Sequence, residues 1–275
     1  MKCAWKELLG ILPGWIARET DKLAKDNLQE IRMRLCKTPE MVTADGSRWL
    51  ERPVCRDDLN FCINTASRYS PWSANTIASG YLTALGGHRI GICGTAVVKD
   101  GCLQGIRDVD SLCIRVARDI PGIGHQAAQL KGSILLMGPP GSGKTTLLRD
   151  LARQISYRET VAIVDEREEL FPRSFERGRS LDVLSGCSKD QGIDMVLRTM
   201  GPATIGVDEI TAERDCDALI RAGWCGVRLL ATAHAASMAD LRSRPVYRSL
   251  IAAGLFDHVL VLGRDKSWHR ERMDK

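Results

Sequence analysis

The fold of this chain is decided by one stretch, Gly138-Pro139-Pro140-Gly141-Ser142-Gly143-Lys144-Thr145. It has the complete pattern G-x-x-x-x-G-K-[ST], follows an apolar run at residues 133–137 and leads into a helical segment at residues 146–153. A strand, a glycine-rich loop and a helix in this order bind phosphate, because glycines let the backbone wrap an anion and the helix N-terminus supplies positive potential. The stretch therefore predicts a nucleotide site.

The residue types in the loop indicate which nucleotide contacts to expect. Lys144 has the length and charge to reach the β- and γ-phosphates, and the Thr145 hydroxyl can ligate Mg²⁺. We therefore expect ATP and Mg²⁺ as the ligands. The residues assigned to nucleotide binding are Gly138, Pro139, Pro140, Gly141, Ser142, Gly143, Lys144, Thr145 and Thr146.

The second half of the chain has the alternating strand and helix pattern of an α/β domain. Short, almost wholly apolar runs alternate with segments that can form helices, which is typical of a parallel sheet covered on both faces. We predict five strands or more, mainly parallel. The predicted strands lie at residues 134–137, 161–164, 203–207, 229–232 and 258–262.

The first half predicts a smaller α+β domain. Helical spacing covers residues 1–30 and 56–68, a further amphipathic segment lies at 77–82, and strands are predicted at 30–36 and 111–118. Residues 85–106 form a glycine-rich hairpin around Lys99-Asp100-Gly101. Pro121-Gly122-Ile123-Gly124 has the composition of a linker, so we place the domain boundary at residue 122, giving domains 1–122 and 123–275.

Two predicted strands end in the same acid pair, Val164-Asp165-Glu166 and Val207-Asp208-Glu209. A P-loop enzyme needs one acid behind Mg²⁺ and, for hydrolysis, a carboxylate that orients water. P-loop ATPases with an added strand carry both on the later strand. We assign water-mediated Mg²⁺ binding to Asp208 and polarisation of the attacking water to Glu209, with Asp165-Glu166 as the alternative pair.

Another strand ends in Thr232-Ala233-His234. In the same architecture this strand lies between the P-loop strand and the Asp208 strand. That position places His234 at the carboxyl end of the sheet, where ligands bind, near the γ-phosphate. His234 is therefore a candidate catalytic residue.

Composition narrows the class of protein. The net charge of +5 is mild, and only 5% of residues are aromatic, so nucleic acid is not an expected partner. The ten cysteines contain no C-x-x-C pair and the five histidines have no ligand spacing, which argues for free thiols in a reducing cytosol. We expect a cytoplasmic protein without a signal peptide or membrane span, which reaches a membrane only through partners.

Four boxes of the sequence resemble those of the secretion ATPases, which power type II and type IV secretion and pilus retraction. Further likeness, at residues 31–34, 86–94, 114–117 and 197–202, is to the stage III sporulation protein AA family of endospore-forming bacteria. Secretion ATPases usually have glycine before the glutamate that corresponds to Glu209, whereas this chain has Asp208 at that position. The boxes are the loop at 138–145, the acidic segment at 164–170, residues 206–210 and residues 232–235.

The resemblance implies a RecA-like P-loop ATPase that forms a ring, a hexamer, and drives a channel complex between mother cell and forespore. Its partners would be the membrane proteins of that complex, and its place the mother-cell cytoplasm. By the same likeness Glu166, with Asp165 and Glu169, assists Glu209 in hydrolysis. Arg89 and Arg115 are the candidates for arginines that reach a neighbouring subunit's γ-phosphate, where they would stabilise developing charge.

Other classes remain open from the sequence alone. A nucleotide-gated nucleic-acid-binding or helicase-like ATPase would show turnover stimulated by single strands and a steep dependence on salt. A small-molecule kinase would need an arginine-rich lid, and no segment has that composition. A scaffold that binds ATP without useful turnover would carry the same residues.

Overall fold

The computed structural model describes residues 3–68, 80–172 and 174–271 of the 275-residue chain. The chain forms two compact units. The first comprises residues 1–119 with 172–175, and the second comprises residues 120–171 with 176–275. The division between them lies at Asp119 and Ile120, and the short segment at 172–175 joins the first unit, which no sequence pattern indicates.

The first unit is built on a six-stranded sheet with strand order β3-β2-β1-β6-β5-β4. Its strands pair antiparallel throughout. In chain order the elements are α1 (Trp5–Gly10), α2 (Gly14–Asp21), β1 (Leu28–Arg34), β2 (Glu40–Thr43), β3 (Gly46–Trp49), α3 (Arg56–Ser67), β4 (Tyr81–Thr83), β5 (Arg89–Lys99) and β6 (Cys102–Arg115).

One face of this sheet carries the core of the unit. Ile31 on β1, Ile90 on β5 and Ile114 on β6 are fully buried and share one apolar cluster with Leu8 of α1 and Leu59 of α3. The residues directly before and after each of these isoleucines are polar or small and point to the other face of the sheet, because side chains alternate between faces along a strand. The predicted α+β character is thus that of a helix layer packed on one side of an antiparallel sheet.

Several predicted elements of the first unit need correction. The described part of residues 1–30 forms two helices and the start of β1 rather than one helix. The first helix ends at Gly10, and Pro13, which disfavours a helical conformation in the residue before it, immediately precedes the second. The segments predicted at 103–106 and 111–118 belong to one continuous strand, β6, which ends at Arg115 and leaves out residues 116–118. The amphipathic segment predicted at 77–82 lies largely outside the described residues, and its last two residues belong to β4.

A buried histidine ties the first unit together. His88 is fully buried, its Nε2 lies 2.9 Å from the carbonyl oxygen of Ala4, and its Nδ1 accepts the N–H of Ala117 at 3.2 Å. Burial lowers the pKa of His88, which favours the neutral ring that this pair of bonds requires. His88 therefore links the N-terminal segment to the chain that follows β6.

The second unit is built on a seven-stranded sheet with strand order β13-β12-β7-β11-β10-β8-β9. Every pair is parallel except β12 with β13. In chain order the elements are β7 (Ile134–Met137), α4 (Lys144–Ile155), β8 (Val161–Asp165), β9 (Leu181–Ser185), α5 (Lys189–Thr199), β10 (Thr204–Val207), α6 (Glu213–Trp224), β11 (Arg228–Ala233), α7 (Met238–Ser243), α8 (Arg248–Ala252), β12 (His258–Leu262) and β13 (Trp268–Glu271).

The central strands are buried on both faces. Along β7, Leu135 and Met137 belong to one apolar cluster, whereas Ile134 and Leu136 belong to another on the opposite face. This alternation between two cores explains why β7 is apolar at every position. It confirms the prediction of a mainly parallel sheet covered on both sides.

The strand order agrees with the expected place of the strand that ends in His234. β11 lies between β7, which leads into the P-loop, and β10, which ends before Asp208. The five predicted strands are present within a residue or two of their expected bounds. The edge strands β9 and β13 were not predicted.

Two further findings concern the whole described chain. Within residues 3–68, 80–172 and 174–271, none of the helices has the length and apolar character needed to cross a membrane. The ten cysteines are free thiols.

Candidate nucleotide-binding site

The phosphate-binding loop connects β7 to α4, and its glycines are required by its shape. A Cβ on Gly138 would lie 2.5 Å from the carbonyl oxygen of Leu262 and 2.8 Å from the Ser142 hydroxyl. Gly143 directly precedes α4 with φ +93°, in the left-handed region that favours glycine. The loop therefore wraps tightly enough for its N–H groups and the start of α4, at Lys144, to face an anion.

Lys144 is buried at the start of α4 and its ammonium turns back onto the loop. Nζ donates to the carbonyl oxygens of Gly138 at 2.8 Å and Pro139 at 2.9 Å, and lies 3.2 Å from His234 Nδ1. Burial lowers the pKa of Lys144, although nearby carboxylates raise it. The side chain thus holds the loop closed and can exchange these carbonyls for phosphate oxygens.

Asp208 lies against Thr145, as the assignment of the second acid pair requires. The Thr145 hydroxyl donates to Asp208 Oδ2 at 2.8 Å, and the Thr232 hydroxyl donates to Oδ1 at 2.6 Å. Among the described residues, at this site or elsewhere, no three His, Cys, Asp or Glu side chains are placed to hold a metal ion. A cation here would rest on Thr145, Asp208, water and phosphate, which is the way Mg²⁺ is usually bound in nucleotide sites.

Glu209 is held by both its backbone and its carboxylate. Its φ is +54°, which is uncommon for a residue with a side chain, and its N–H donates to the Thr232 hydroxyl at 2.7 Å. The carboxylate accepts from Arg167 Nη1 at 2.7 Å and lies 3.0 Å from His234 Nε2. These contacts fix Glu209 at the carboxyl end of the sheet beside Asp208.

The tautomer of His234 follows from its two neighbours. The ammonium of Lys144 can only donate, so His234 Nδ1 is the acceptor of that contact. Nε2 then carries the proton and donates to Glu209. A neutral His234 therefore connects the lysine of the P-loop to the carboxylate proposed to orient water.

The first acid pair is engaged differently. Both carboxylate oxygens of Asp165 accept backbone N–H groups, from Glu169 and Leu170 at 2.9 Å and from Phe171 at 3.1 Å. Asp165 is buried, and burial raises its pKa even though these hydrogen bonds lower it. Its visible role is to shape the loop after β8, which leaves Glu166 as the residue of this pair that is free of the loop backbone.

Glu166 forms an ion pair with Lys189, a buried lysine at the start of α5. The two acid pairs meet around a cavity of about 20 Å³, which is room for about one water molecule. The residues that line it are Val164, Asp165, Glu166, Arg167, Glu169, Lys189, Asp208 and Glu209.

The P-loop contains one buried polar group whose partner is missing. Ser142 is fully buried, and its hydroxyl has no hydrogen-bond partner among the described residues. Such a group costs roughly 1–3 kcal/mol unless something binds it. An anion held by the loop fits this need, so the residues present fit a bound phosphate. Of the other assigned loop residues, Pro139 and Thr146 are half-buried, and Pro140 and Gly141 are exposed.

Arg89 and Arg115 belong to the first unit, where they are neighbours in register on β5 and β6. The Arg89 guanidinium lies 4.7 Å from the centroid of the Tyr81 ring, and Arg115 Nε lies 3.5 Å from Glu30 Oε1. The Arg115 side chain is 64% exposed, so this ion pair restrains it little. Both arginines stand on the sheet face opposite the apolar core.

Two residues of the site escaped the sequence argument. Thr232 bridges Asp208 and Glu209, and Arg167 binds the Glu209 carboxylate. Thr232 had a signal, since it stands two positions before His234 at the end of the same strand. Arg167 had no comparable signal in the sequence, because a single arginine inside an acidic segment has many possible carboxylate partners.

Comparison with known proteins identifies the family that the chain resembles. A family described as "Sporulation stage III, protein AA" matches residues 6–272. The stage III sporulation protein AA of Bacillus subtilis (strain 168) is 35% identical over 259 residues, which cover 87% of this chain and 83% of that protein.

Solved structures support the fold. The ATPase DotB of Legionella pneumophila has a TM-score of 0.61 at 17% identity, covering 95% of this chain and 80% of that one. The pilus retraction motor PilT with bound ADP has a TM-score of 0.60 at 15% identity, covering 90% and 76%. The predicted fold of a secretion ATPase is confirmed.

Proposed function

This chain belongs to the Sporulation stage III, protein AA family, and from that premise we propose that it is a Mg²⁺-dependent ATP hydrolase. In this proposal it is a ring-forming motor that energises the channel complex between mother cell and forespore during endospore formation. The name of the Bacillus subtilis relative supports the setting. The fold shared with the ATPase DotB and the motor PilT supports the activity.

One observation carries the proposal. The Glu209 carboxylate is held between His234 and Arg167, directly beside the contact of Asp208 with Thr145. A P-loop that only stored a nucleotide would not need a second carboxylate fixed next to its metal-binding pair. A carboxylate placed there is suited to orient a water molecule toward the γ-phosphate.

Nucleotide binding follows from the loop. The N–H groups around Gly141 and Gly143 and the Ser142 hydroxyl bind phosphate oxygens, and Lys144 moves its ammonium from two carbonyls to the β- and γ-phosphates. Thr145 and Asp208 would hold Mg²⁺. When bound, that ion supplies the positive charge that neutralises the phosphate oxygens.

Hydrolysis then depends on Glu209. Its ion pair with Arg167 is partly exposed, so a water molecule can replace the guanidinium at Oε2 at little cost. His234 keeps the other oxygen in place through its Nε2–H. Glu209 thereby orients the water and accepts its proton as the water oxygen bonds to the γ-phosphorus, while the bond from that phosphorus to the bridging oxygen breaks and ADP leaves.

The ring completes the site in this proposal. Arg89 and Arg115 of one copy contact the γ-phosphate bound by the next, where two guanidinium groups stabilise the charge of the transferred phosphoryl group. We propose a hexamer in the mother-cell cytoplasm, attached to the membrane through the membrane proteins of the channel complex. The exposure of Arg115 suits a residue that must reach another molecule.

The test is phosphate release by the purified full-length chain with Mg²⁺ and ATP. Lys144→Ala should abolish nucleotide binding, because the loop loses its only ammonium. Glu209→Gln should keep nucleotide affinity within a few-fold and lower turnover by about 10²–10⁴-fold, the usual contribution of a positioned acid or base.

Glu213→Gln is the matched control, since Glu213 is exposed at the start of α6 four positions after Glu209. It should leave both properties unchanged. Full turnover in Glu209→Gln would transfer the role to Glu166. Turnover that appears only with added single-stranded DNA or RNA would replace the motor by a nucleic-acid-dependent ATPase.

A further inference from the structure

Lys189 is a buried cation at the N-terminus of a helix, where both burial and the helix dipole disfavour a positive charge. It is 4% exposed and opens helix α5, so its positive charge adds to that of the helix N-terminus. Burying an ammonium group is costly unless carboxylates surround it. Such a residue needs a reason beyond packing.

The ammonium of Lys189 contacts carboxylates from two different segments of the chain. One is Glu166, directly after β8, with which it forms an ion pair. The other is Asp215 on α6, whose Oδ2 lies 3.8 Å from Nζ. Lys189 therefore joins the chain after β8 to the chain after β10.

Asp215 in turn shapes the segment that follows Glu209. Its Oδ2 accepts the N–H groups of Thr211 at 3.0 Å and Ala212 at 3.1 Å, and the Thr211 hydroxyl lies within 3.3 Å. These bonds fix the backbone two and three residues after Glu209. A cation that holds Asp215 thus also restrains the proposed water-orienting residue.

The charge balance of the small cavity gives Lys189 a second task. Five carboxylates line the cavity, and Arg167 and Lys189 are the cationic residues among its lining side chains. Without Lys189, Glu166 would lose its counter-ion and move away from the other carboxylates. The cavity has room for about one water molecule, so a shift of about one ångström in its walls would displace that water.

We propose that Lys189 is a positioning residue for hydrolysis: it holds Glu166 and, through Asp215, the backbone after Glu209, so that both glutamates face one water-sized cavity. This inference rests on the function proposed above. It assigns to α5 a task in the reaction that is separate from nucleotide binding, because the carboxylates that Lys189 contacts, Glu166 and Asp215, lie outside the P-loop.

The test measures kcat and nucleotide affinity on the same variant, and we expect only kcat to change. Lys189→Met keeps the length of the side chain and removes its charge, and should lower kcat by about 10–100-fold, the usual cost of misplacing a reacting group by about one ångström. Nucleotide affinity should stay within about twofold, since the loop, Lys144 and Thr145 are untouched. Lys131→Met, at an exposed lysine of the same unit, is the control and should change neither.

A double-mutant cycle separates positioning from general loss of structure. If Lys189 acts through Glu166, then Lys189→Met combined with Glu166→Gln should be no slower than the worse single variant. Lys189→Arg should recover part of the lost kcat because it restores the charge. Amide exchange at Thr211 and Ala212 should speed up in Lys189→Met, while the amides bonded to Asp165 stay protected.

Either of two kinetic results would overturn the inference alone: a wild-type kcat in Lys189→Met, or losses that add fully in the double variant. Unchanged amide exchange at Thr211 and Ala212 would do the same. A wild-type chain that binds nucleotide and releases no phosphate would instead overturn the proposed function, and this inference with it.

Discussion

At the scale of single residues, Glu209 has an uncommon backbone conformation. A non-glycine residue with φ near +54° costs of the order of 1–3 kcal/mol and persists only when its surroundings compensate. The hydrogen bond from its N–H to Thr232 supplies part of that compensation. The left-handed turn directs the carboxylate toward His234 and away from the direction in which strand β10 would have continued.

Thr232 is therefore expected to matter more than its small side chain suggests. Thr232→Val keeps the shape and removes the hydroxyl that accepts the Glu209 N–H and donates to Asp208. We expect a loss of about 1–3 kcal/mol in the free energy of unfolding, because the N–H loses its partner. Turnover should fall about 10–100-fold, because Glu209 is no longer fixed.

Thr204→Val is the matched control for this prediction. Thr204 is also fully buried, and its hydroxyl donates to Glu159 at 2.5 Å. It is the first residue of β10, so it lies at the end of that strand opposite to Asp208. Urea unfolding and phosphate release should show a similar loss of stability in both variants and a loss of turnover only in Thr232→Val. Equal turnover in the two would contradict the role given to Thr232.

At this scale the sequence predicted the residues whose chemistry is visible in a motif. Lys144, Thr145, Asp208 and His234 lie at the ends of strands or in the loop, where spacing alone brings them together. It could not predict Arg167 or Lys189, because both act through ion pairs between segments whose packing is set by tertiary structure.

At the scale of elements, the packing of α5 on β8 depends on one glycine. A Cβ on Gly192 would lie 2.4 Å from Cγ1 of Val164 and 3.0 Å from the Cys187 sulfur. Valine is branched at Cβ and cannot turn aside easily. Gly192 thus allows α5 to approach the sheet closely enough for Lys189, one turn earlier, to reach Glu166.

Gly192→Ala should consequently destabilise the chain by about 1–3 kcal/mol, the usual cost of overpacking. Turnover should fall as well, since α5 and Lys189 move away from the cavity. Adding Val164→Ala should restore part of both losses by making room for the new methyl group. Thermal unfolding and phosphate release on the single and double variants would measure this.

Gly10→Ala provides the control. Gly10 is also in a helix, at the end of α1, but a Cβ there would meet nothing within 4 Å. Alanine is a better helix former than glycine, so this change should be neutral or slightly stabilising. A stable, active Gly192→Ala variant would mean that α5 can shift without consequence.

The elements that the sequence predicted well are the buried ones. β7, β8 and β12 are buried at every position, and such strands are recognisable as short apolar runs. The strands β9 and β13 lie at the two edges of the sheet. In β9 the apolar residues are interrupted by Asp182, and in β13 Trp268 is the one large apolar residue, so neither strand has the continuous apolar run that reveals a central strand.

At the scale of the whole molecule, the proposed ring predicts that neighbouring copies share each site. The Arg89→Ala variant lacks the arginine that would reach the neighbouring copy but keeps its own P-loop and Glu209. The Glu209→Gln variant keeps that arginine but lacks its own water-orienting carboxylate. Each variant alone should be nearly inactive. Mixing them before phosphate release is measured should recover activity, because some interfaces then combine an intact P-loop with an intact Arg89.

Mixing Arg89→Ala with Lys144→Ala extends the same logic, since these changes also fall on opposite sides of an interface. Mixing Glu209→Gln with Lys144→Ala is the control and should stay inactive, because both changes damage the same side. Mixtures of Arg89→Ala that remain inactive, while the wild type forms rings, would show that the arginine does not act between copies.

The pairing of strand β7 has a consequence for the synthesis of this protein. Ile134 pairs with Leu230 on one side and with His258 on the other, so the strand that leads into the P-loop has no neighbour until β11 and β12 have been made. Parallel pairing over such a separation forms slowly. On the ribosome, the nucleotide-binding motif is therefore translated well before both neighbours of β7, and we expect a nascent chain that ends before β11 to bind ATP poorly.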